Sequence, residues 1–249
     1  MEWTQLNPAR GAASPQAGAL WGERAGPGPA GFLLKPVDGF RSPPHIHGVA
    51  YRGVVISGLL HNDDPDAANM WMGVSSYWTQ PAGEVHVTAA KGGDCLAYIE
   101  VDDLFDVQPA SAAFDSGERA LNVERDNIVW LDASSVRWVR QSAALSPSDG
   151  VRVAFLWGDP QGATPYGVLL QVPGGVRCET VGSAASFRSV VIDGALVQQR
   201  VGGPHARLEP GSYFYASKGA EHQFWCEDAE GCTVYLRADG PLELWARPR

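Results

Sequence analysis

The chain has 249 residues, of which 45% are hydrophobic and 19% charged, and its net charge is −9 at pH 7. That length builds one large domain or two ordinary ones, and the apolar share suffices for a packed core. The acidic balance, with no Lys/Arg cluster, argues against DNA, RNA and anionic membrane as partners, and no apolar run reaches the ~18 to 20 residues of a membrane span.

Gly (29) and Pro (18) are far above their usual share of about 12%. Both punctuate turns, so many short elements on tight loops are expected, which favours an all-β protein. Residues 1–8 show no basic segment followed by a hydrophobic one, so a cytoplasmic location is the expectation. Residues 1–20 are expected to form an arm packed across the other half. Strands are predicted at 51–57, closed by Gly58, and at 75–78 and 84–88, which flank a Gln-Pro-Ala-Gly turn. Another is predicted at 96–101. Residues 108–120 read as a loop with one helical turn, and 127–131 and 136–139 as strands joining the halves. The Ser/Ala/Pro-containing stretch 141–149 marks a boundary, giving domains 1–140 and 141–249. Cys95, Cys178, Cys226 and Cys232 form no CxxC and are expected to be reduced and buried.

An internal repeat organises these elements. Leu20-Trp21-Gly22 recurs as Leu156-Trp157-Gly158, an offset of 157 − 21 = 136. At that offset Gly31 and Leu33-Leu34 meet Gly167 and Leu169-Leu170, and Gly39 and Arg41 meet Gly175 and Arg177. Tyr51-Arg52 and Val54-Val55-Ile56 meet Phe187-Arg188 and Val190-Val191-Ile192, and Gly58 meets Gly194. Ser76-Tyr77-Trp78 meets Ser212-Tyr213-Phe214, while Gly83 and His86 meet Gly219 and His222. With one extra residue, Cys95 and Tyr98 meet Cys232 and Tyr235. The matched positions are turn and core types, so the duplication preserves a fold.

Three of the six histidines form a pattern. In His45-Ile46-His47, strand alternation turns both imidazoles to one face. Pro81, Gly83 and His86 make a PxGxxH turn able to bring a third imidazole across the barrel. The second copy places Val181 and Ser183 where His45 and His47 stand, and keeps only His222. Glu221 and His222 are expected to be a buried hydrogen-bonded pair, and that barrel a support or a dimer surface. His61 and His205 read as solvated loop residues.

HxH followed by PxGxxH resembles the two signature motifs of the cupin superfamily. The resemblance covers both halves, so it implies a bicupin: two tandem jelly-roll barrels. Within that superfamily the chain is similar to the ChrR-type and acetylacetone-cleaving cupins. Where the first motif carries a Glu, this chain has Tyr51 or Arg52. The implied ligand set is therefore His45, His47 and His86. Glu84 is placed by alternation on the face of His86, as a fourth ligand or general base. Tyr51 shares the parity of His45 and His47 and could steer a proton. Arg52, recurring as Arg188, reads as a structural pairing residue. Trp71, Tyr77 and Trp78 read as pocket wall or core.

The resemblance implies one divalent ion per chain, foremost Fe(II), in a dioxygenase cleaving a C–C bond of a small enolisable or hydroxylated substrate. Zn, Ni or Mn acting as a Lewis acid is the second enzyme reading, since imidazole suits several of these metals. A non-enzymatic ChrR-type sensor and a metal-free storage protein are the alternatives from other classes. The first normally wants a helical partner-binding segment with its own ligands, and no such segment is visible.

Overall fold

β-Branched and aromatic residues alternating with small or polar ones fill the chain. In the computed structural model, which describes residues 1–180 and 185–249, they form 21 strands among the described residues. No helix among these residues is long and apolar enough to cross a membrane.

The first unit is Met1–Ile128. Its strands are β1 (Trp3–Gln5), β2 (Gln16–Trp21), β3 (Ala30–Lys35), β4 (His45–Ile46), β5 (Tyr51–Asp63), β6 (Tyr77–Gln80), β7 (Val87–Val101), β8 (Gln108–Pro109) and β9 (Leu121–Val123). Seven form one antiparallel sheet in the order β1-β2-β3-β7-β5-β6-β9, and β4 pairs with β8. Phe32, Tyr51, Val55, Leu60, Trp78, Ala97 and Ile99 form part of its core.

The second unit is Val129–Arg249. It contains β10 (Leu131–Asp132), β11 (Val139–Gln141), β12 (Arg152–Trp157), β13 (Tyr166–Val172), β14 (Val176–Thr180), β15 (Phe187–Asp193), β16 (Leu196–Arg200), β17 (His205–Leu208), β18 (Tyr213–Ala216), β19 (His222–Cys226), β20 (Cys232–Ala238) and β21 (Leu244–Pro248). They make two six-stranded sheets, β10-β12-β13-β20-β15-β18 and β11-β21-β14-β19-β16-β17. Tyr166, Val168, Leu170, Phe187, Phe224 and Leu236 lie in the core between them.

The repeat is visible at the level of single contacts. Trp21 Nε1 donates to the Tyr98 hydroxyl at 3.0 Å, and Trp157 Nε1 donates to the Tyr235 hydroxyl at 3.0 Å. Each indole lies over a glycine: a Cβ on Gly31 would come 2.1 Å from Trp21 Nε1, and one on Gly167 2.0 Å from Trp157 Nε1. Bulges fall in register too. The pairing shifts between Ala19 and Trp21 and between Phe155 and Trp157, then between Val55 and Ser57 and between Val191 and Asp193. Arg52 pairs with Asp102 in the first unit and Arg188 with Asp239 in the second, the structural role expected of them.

Several expectations change. The chain divides after Ile128 rather than at 140, because β10 and β11 pair with β12 and β21 of the second unit. The N-terminal arm joins the first unit's own sheet through β1 and β2. β5 runs on past Gly58 to Asp63, so His61 is a buried strand residue rather than a solvated one. His205 begins β17. Cys226 and Cys232 form a disulfide, while Cys95 and Cys178 are free and buried. Burial pushes the Cys95 thiol up to about 12, and it is an inert core residue.

Candidate metal centre

The HxH segment and the PxGxxH turn are stitched together by backbone. His45 N donates to His86 O at 3.1 Å, and His86 N donates to His45 O at 3.0 Å. Two residues on, Gly83 N donates to His47 O at 2.9 Å. Gly83 sits in the left-handed region with φ +77°. Phe114 N donates to its carbonyl at 3.1 Å, and a Cβ there would meet the Phe114 carbonyl oxygen at 2.4 Å. Only glycine fits such a turn. Ile46 is fully buried, pointing away from the histidines on either side of it.

The three imidazoles converge. Ring centroids are 4.3 Å apart for His45 and His86, 5.0 Å for His45 and His47, and 5.2 Å for His47 and His86. One potential ligand atom from each lies within 4.8 Å of the others. Among the described residues this is the one group of three or more His, Cys, Asp or Glu so arranged. Each Nδ1 already has a backbone carbonyl beside it: Pro43 O at 2.9 Å for His45, Asp106 O for His47, and Glu84 O at 3.1 Å for His86. A carbonyl only accepts, so each Nδ1 carries the proton and each Nε2 keeps its lone pair. Phe105 stacks on His47 at 4.3 Å and fixes its plane.

Burial lowers all three imidazole pKa values. That of His47 falls to about 4, with the Asp106 carbonyl opposing the shift. His86 lies well below its ordinary value through burial and then the neighbouring His45 and His47. His45 is lowered by burial against the Pro43 carbonyl. At neutral pH the cluster is therefore three uncharged Nε2 donors with fixed tautomers. Imidazoles each anchored through the far nitrogen fit a divalent transition ion.

Tyr51 is brought to this cluster. Its buried hydroxyl donates to Asn62 Oδ1 at 2.9 Å and lies 3.3 Å from His86 Nε2. Burial raises its pKa, so the phenol stays protonated. Thr88 Oγ1 also donates to Asn62 Oδ1 at 2.7 Å, and Asn62 Nδ2 donates to Gln80 Oε1 at 2.9 Å. Gln80 Nε2 then donates at 3.3 Å to the Glu84 carbonyl that also holds His86. Asn62 and Gln80 were not legible as site residues. Asn62 belongs to a His-Asn-Asp-Asp run that reads as a polar turn, and Gln80 to the turn before Gly83.

Glu84 is not brought there. Residues 81–85 are turn rather than strand, so alternation does not place the side chain. Its carboxylate lines a separate hollow with Phe114, Asp115, Glu118 and Arg119. Its backbone carbonyl, not its acid, serves His86. Trp78 lines the histidine cavity, Tyr77 is buried away from it, and Trp71 packs near His61 at 6.0 Å between ring centroids.

Beside His45, His47 and Tyr51 opens a cavity of about 410 Å³. Phe32, Leu34, Phe40, Ile99 and Phe105 make its wall apolar. In the second unit the corresponding positions do not rebuild the site. Tyr51, Gln80 and Thr88 become Phe187, Ala216 and Phe224. Asn62 becomes Gln198, whose Nε2 donates to His222 Nδ1 at 2.6 Å, which puts the proton on Nε2, the reverse of the first unit. Glu221 is exposed and is not the partner expected for His222. Val181 and Ser183, the counterparts of His45 and His47, lie outside the described residues.

Two tandem jelly-roll barrels, with HxH and PxGxxH histidines converging in one, define a bicupin. Residues 1–245 match the family described as Domain of unknown function (DUF4437), and the chain belongs to that family. No curated protein sequence matches it. The fold is shared with AerE from Microcystis aeruginosa, at TM-score 0.58 and 12% identity over 95% of each chain. It is shared with a variant of salicylate 1,2-dioxygenase from Pseudoaminobacter salicylatoxidans, at TM-score 0.58 and 14% identity, covering 90% of this chain and 75% of that one. Vicilin from Corylus avellana (hazelnut) is similar at TM-score 0.57 and 12% identity, covering 96% and 83%. Identities this low speak to fold alone.

Proposed function

We propose that the first unit is a metal-dependent enzyme holding one divalent ion on His45, His47 and His86. In the reading we favour it is an Fe(II) dioxygenase cleaving a C–C bond in a small enolisable or hydroxylated substrate. The observation that carries this is the set of three Nδ1 atoms on backbone carbonyls, which leaves a lone pair on each Nε2, with His45 and His47 lining an apolar cavity. A bound Fe(II) would supply Lewis acidity and electrons toward O2. The chain's own residues set the conditions. The phenylalanine-rich wall gives the cavity an apolar lining, the neutral donors leave the ion its full charge for an anionic substrate oxygen, and Tyr51 holds a proton next to the cluster. Glu84 has no part in this scheme.

Metal analysis of protein purified without oxygen should find about one ion per chain, absent from His45→Ala and His47→Ala. A wild type that takes up no ion overturns the site. Iron-loaded protein should consume O2 with a member of a panel of β-dicarbonyl and hydroxy-aromatic compounds. An ion bound with no O2 consumed overturns the dioxygenase and leaves Lewis-acid chemistry on Zn, Ni or Mn.

A further inference from the structure

The cavity beside the histidines has one cationic side chain in its wall that the proposed chemistry does not use. Arg10 comes from the 3₁₀ turn Pro8–Ala13 of the N-terminal arm, between β1 and β2. Its guanidinium lies over the Phe40 ring, 5.0 Å from the centroid. One Nη2 donates to the Arg41 carbonyl at 3.2 Å, four residues before His45. These contacts hold the group at the cavity, yet an Arg has five N–H donors in a planar fork. Among the described residues Arg10 forms no ion pair with a carboxylate, and no Asp or Glu lines the cavity. In a chain of net charge −9, nine of the 16 arginines pair with a carboxylate among the described residues: Arg52, Arg119, Arg125, Arg140, Arg152, Arg188, Arg207, Arg237 and Arg247.

We infer that Arg10 is a specificity residue for anionic ligands, and that the cavity takes a small amphipathic carboxylate. The ligand's apolar body lies among Phe32, Leu34, Phe40 and Phe105, with its carboxylate on the Arg10 fork. Bidentate pairing of guanidinium with carboxylate is the strong, directional form of this contact. The inference rests on the site proposed above and narrows its substrate class. It also gives the arm a function: Leu6 and Pro15 flank Arg10 in the same wall.

The test compares two probes of equal chain length, octanoate and 1-octanol, by titration calorimetry on the full chain, zinc-loaded and metal-stripped. Wild type should bind octanoate on the order of 10-fold tighter than octanol in both states. Arg10→Gln should bind the two equally, with octanol affinity unchanged, and Arg10→Lys should keep part of the preference. Arg10 is exposed, so neither variant threatens the fold, and circular dichroism checks this. Equal affinities in wild type, or a preference that survives Arg10→Gln, overturn the inference. His45→Ala separates the two proposals. A preference lost there but kept in Arg10→Gln assigns the anion to the metal and overturns the role of Arg10. A preference that follows Arg10 in a chain that binds no metal supports the inference and overturns the metal site.

Discussion

His45 and His86, 41 residues apart, exchange both of their backbone hydrogen bonds, at 3.1 and 3.0 Å. This single antiparallel bridge brings the two residues side by side, so the approach of their rings is set by main chain. The proposed metal site therefore depends on the turn that delivers His86.

Gly83→Ala tests that dependence. The residue has φ +77°, and its added methyl would meet the Phe114 carbonyl oxygen at 2.4 Å. Strain in the left-handed region costs on the order of 1–3 kcal/mol, and here a backbone atom must also move. The shift pulls on the bond from Gly83 N to His47 O. Unfolding should move down by several degrees, and metal affinity should fall on the order of 10-fold. Calorimetric unfolding and metal titration read the two effects, and a variant unchanged in both refutes the role given to the turn.

Asn62→Ala should damage the first unit more than Gln198→Ala damages the second. Asn62 bonds to buried Tyr51 and Gln80 and to half-buried Thr88 at once. Its loss strands buried polar groups at about 1–3 kcal/mol each, and it frees Tyr51 from its fixed orientation near His86. Gln198 gives a single bond to His222. Denaturant unfolding should therefore show Asn62→Ala as the larger loss, and only that variant should weaken metal binding. Equal effects on metal would mean that the Asn62 network does not serve the site.

The duplication, the all-β fold and the convergence of His45, His47 and His86 are legible because each rests on local chemistry. Glycine marks turns, HxH alternates on a strand, and Pro and Gly shape the PxGxxH turn. What was not legible was long-range. β5 continues through the bulge after Val55, and nothing in the Leu-His-Asn-Asp-Asp run announces it. Hence His61 reads as a solvated loop residue from sequence, although it and its neighbour Asn62 are buried. Glu84 departs from its expected place for the opposite reason: alternation holds along a strand, and residues 81–85 are turn. Val136 to Val139 gave no full strand because the 3₁₀ turn Ala133–Ser135 and the strand β11 divide it. The pairing of Cys226 with Cys232 follows from β19 and β20 entering the same core, which a CxxC search does not sense.

That disulfide has a measurable consequence. Denatured, unreduced protein should show two reactive thiols, Cys95 and Cys178, and reduced protein four. The bridge closes a loop of sequence separation 6, for which chain entropy gives about 2 kcal/mol of stabilisation. Cys226→Ser with Cys232→Ser should lower unfolding stability by about that amount while metal binding by the first unit stays unchanged. Four thiols in the unreduced protein would remove the bridge from the description.

Acid should weaken the second unit through Asp239. Partial burial alone would raise its pKa. Hydrogen bonds from Ser186 and Arg188 and the charges of Arg237 and Arg188 outweigh that and hold it below the ordinary carboxylate value. Arg188 Nη1 lies 2.8 Å from Oδ2, and Arg237 contacts Oδ1. A carboxylate with a folded pKa below its unfolded one binds fewer protons when native. Its stabilisation is therefore complete above the unfolded value of about 3.9 and is lost as pH falls through the folded value. The Asp239 side chain is 31% exposed, so solvent screening holds its contribution to about 1 kcal/mol. Asp239→Asn should cost that much at pH 7 and progressively less as pH falls through the folded value, so the stability curves of wild type and variant converge in acid. Parallel curves over that interval would show that the Asp239 charge does not contribute to folding.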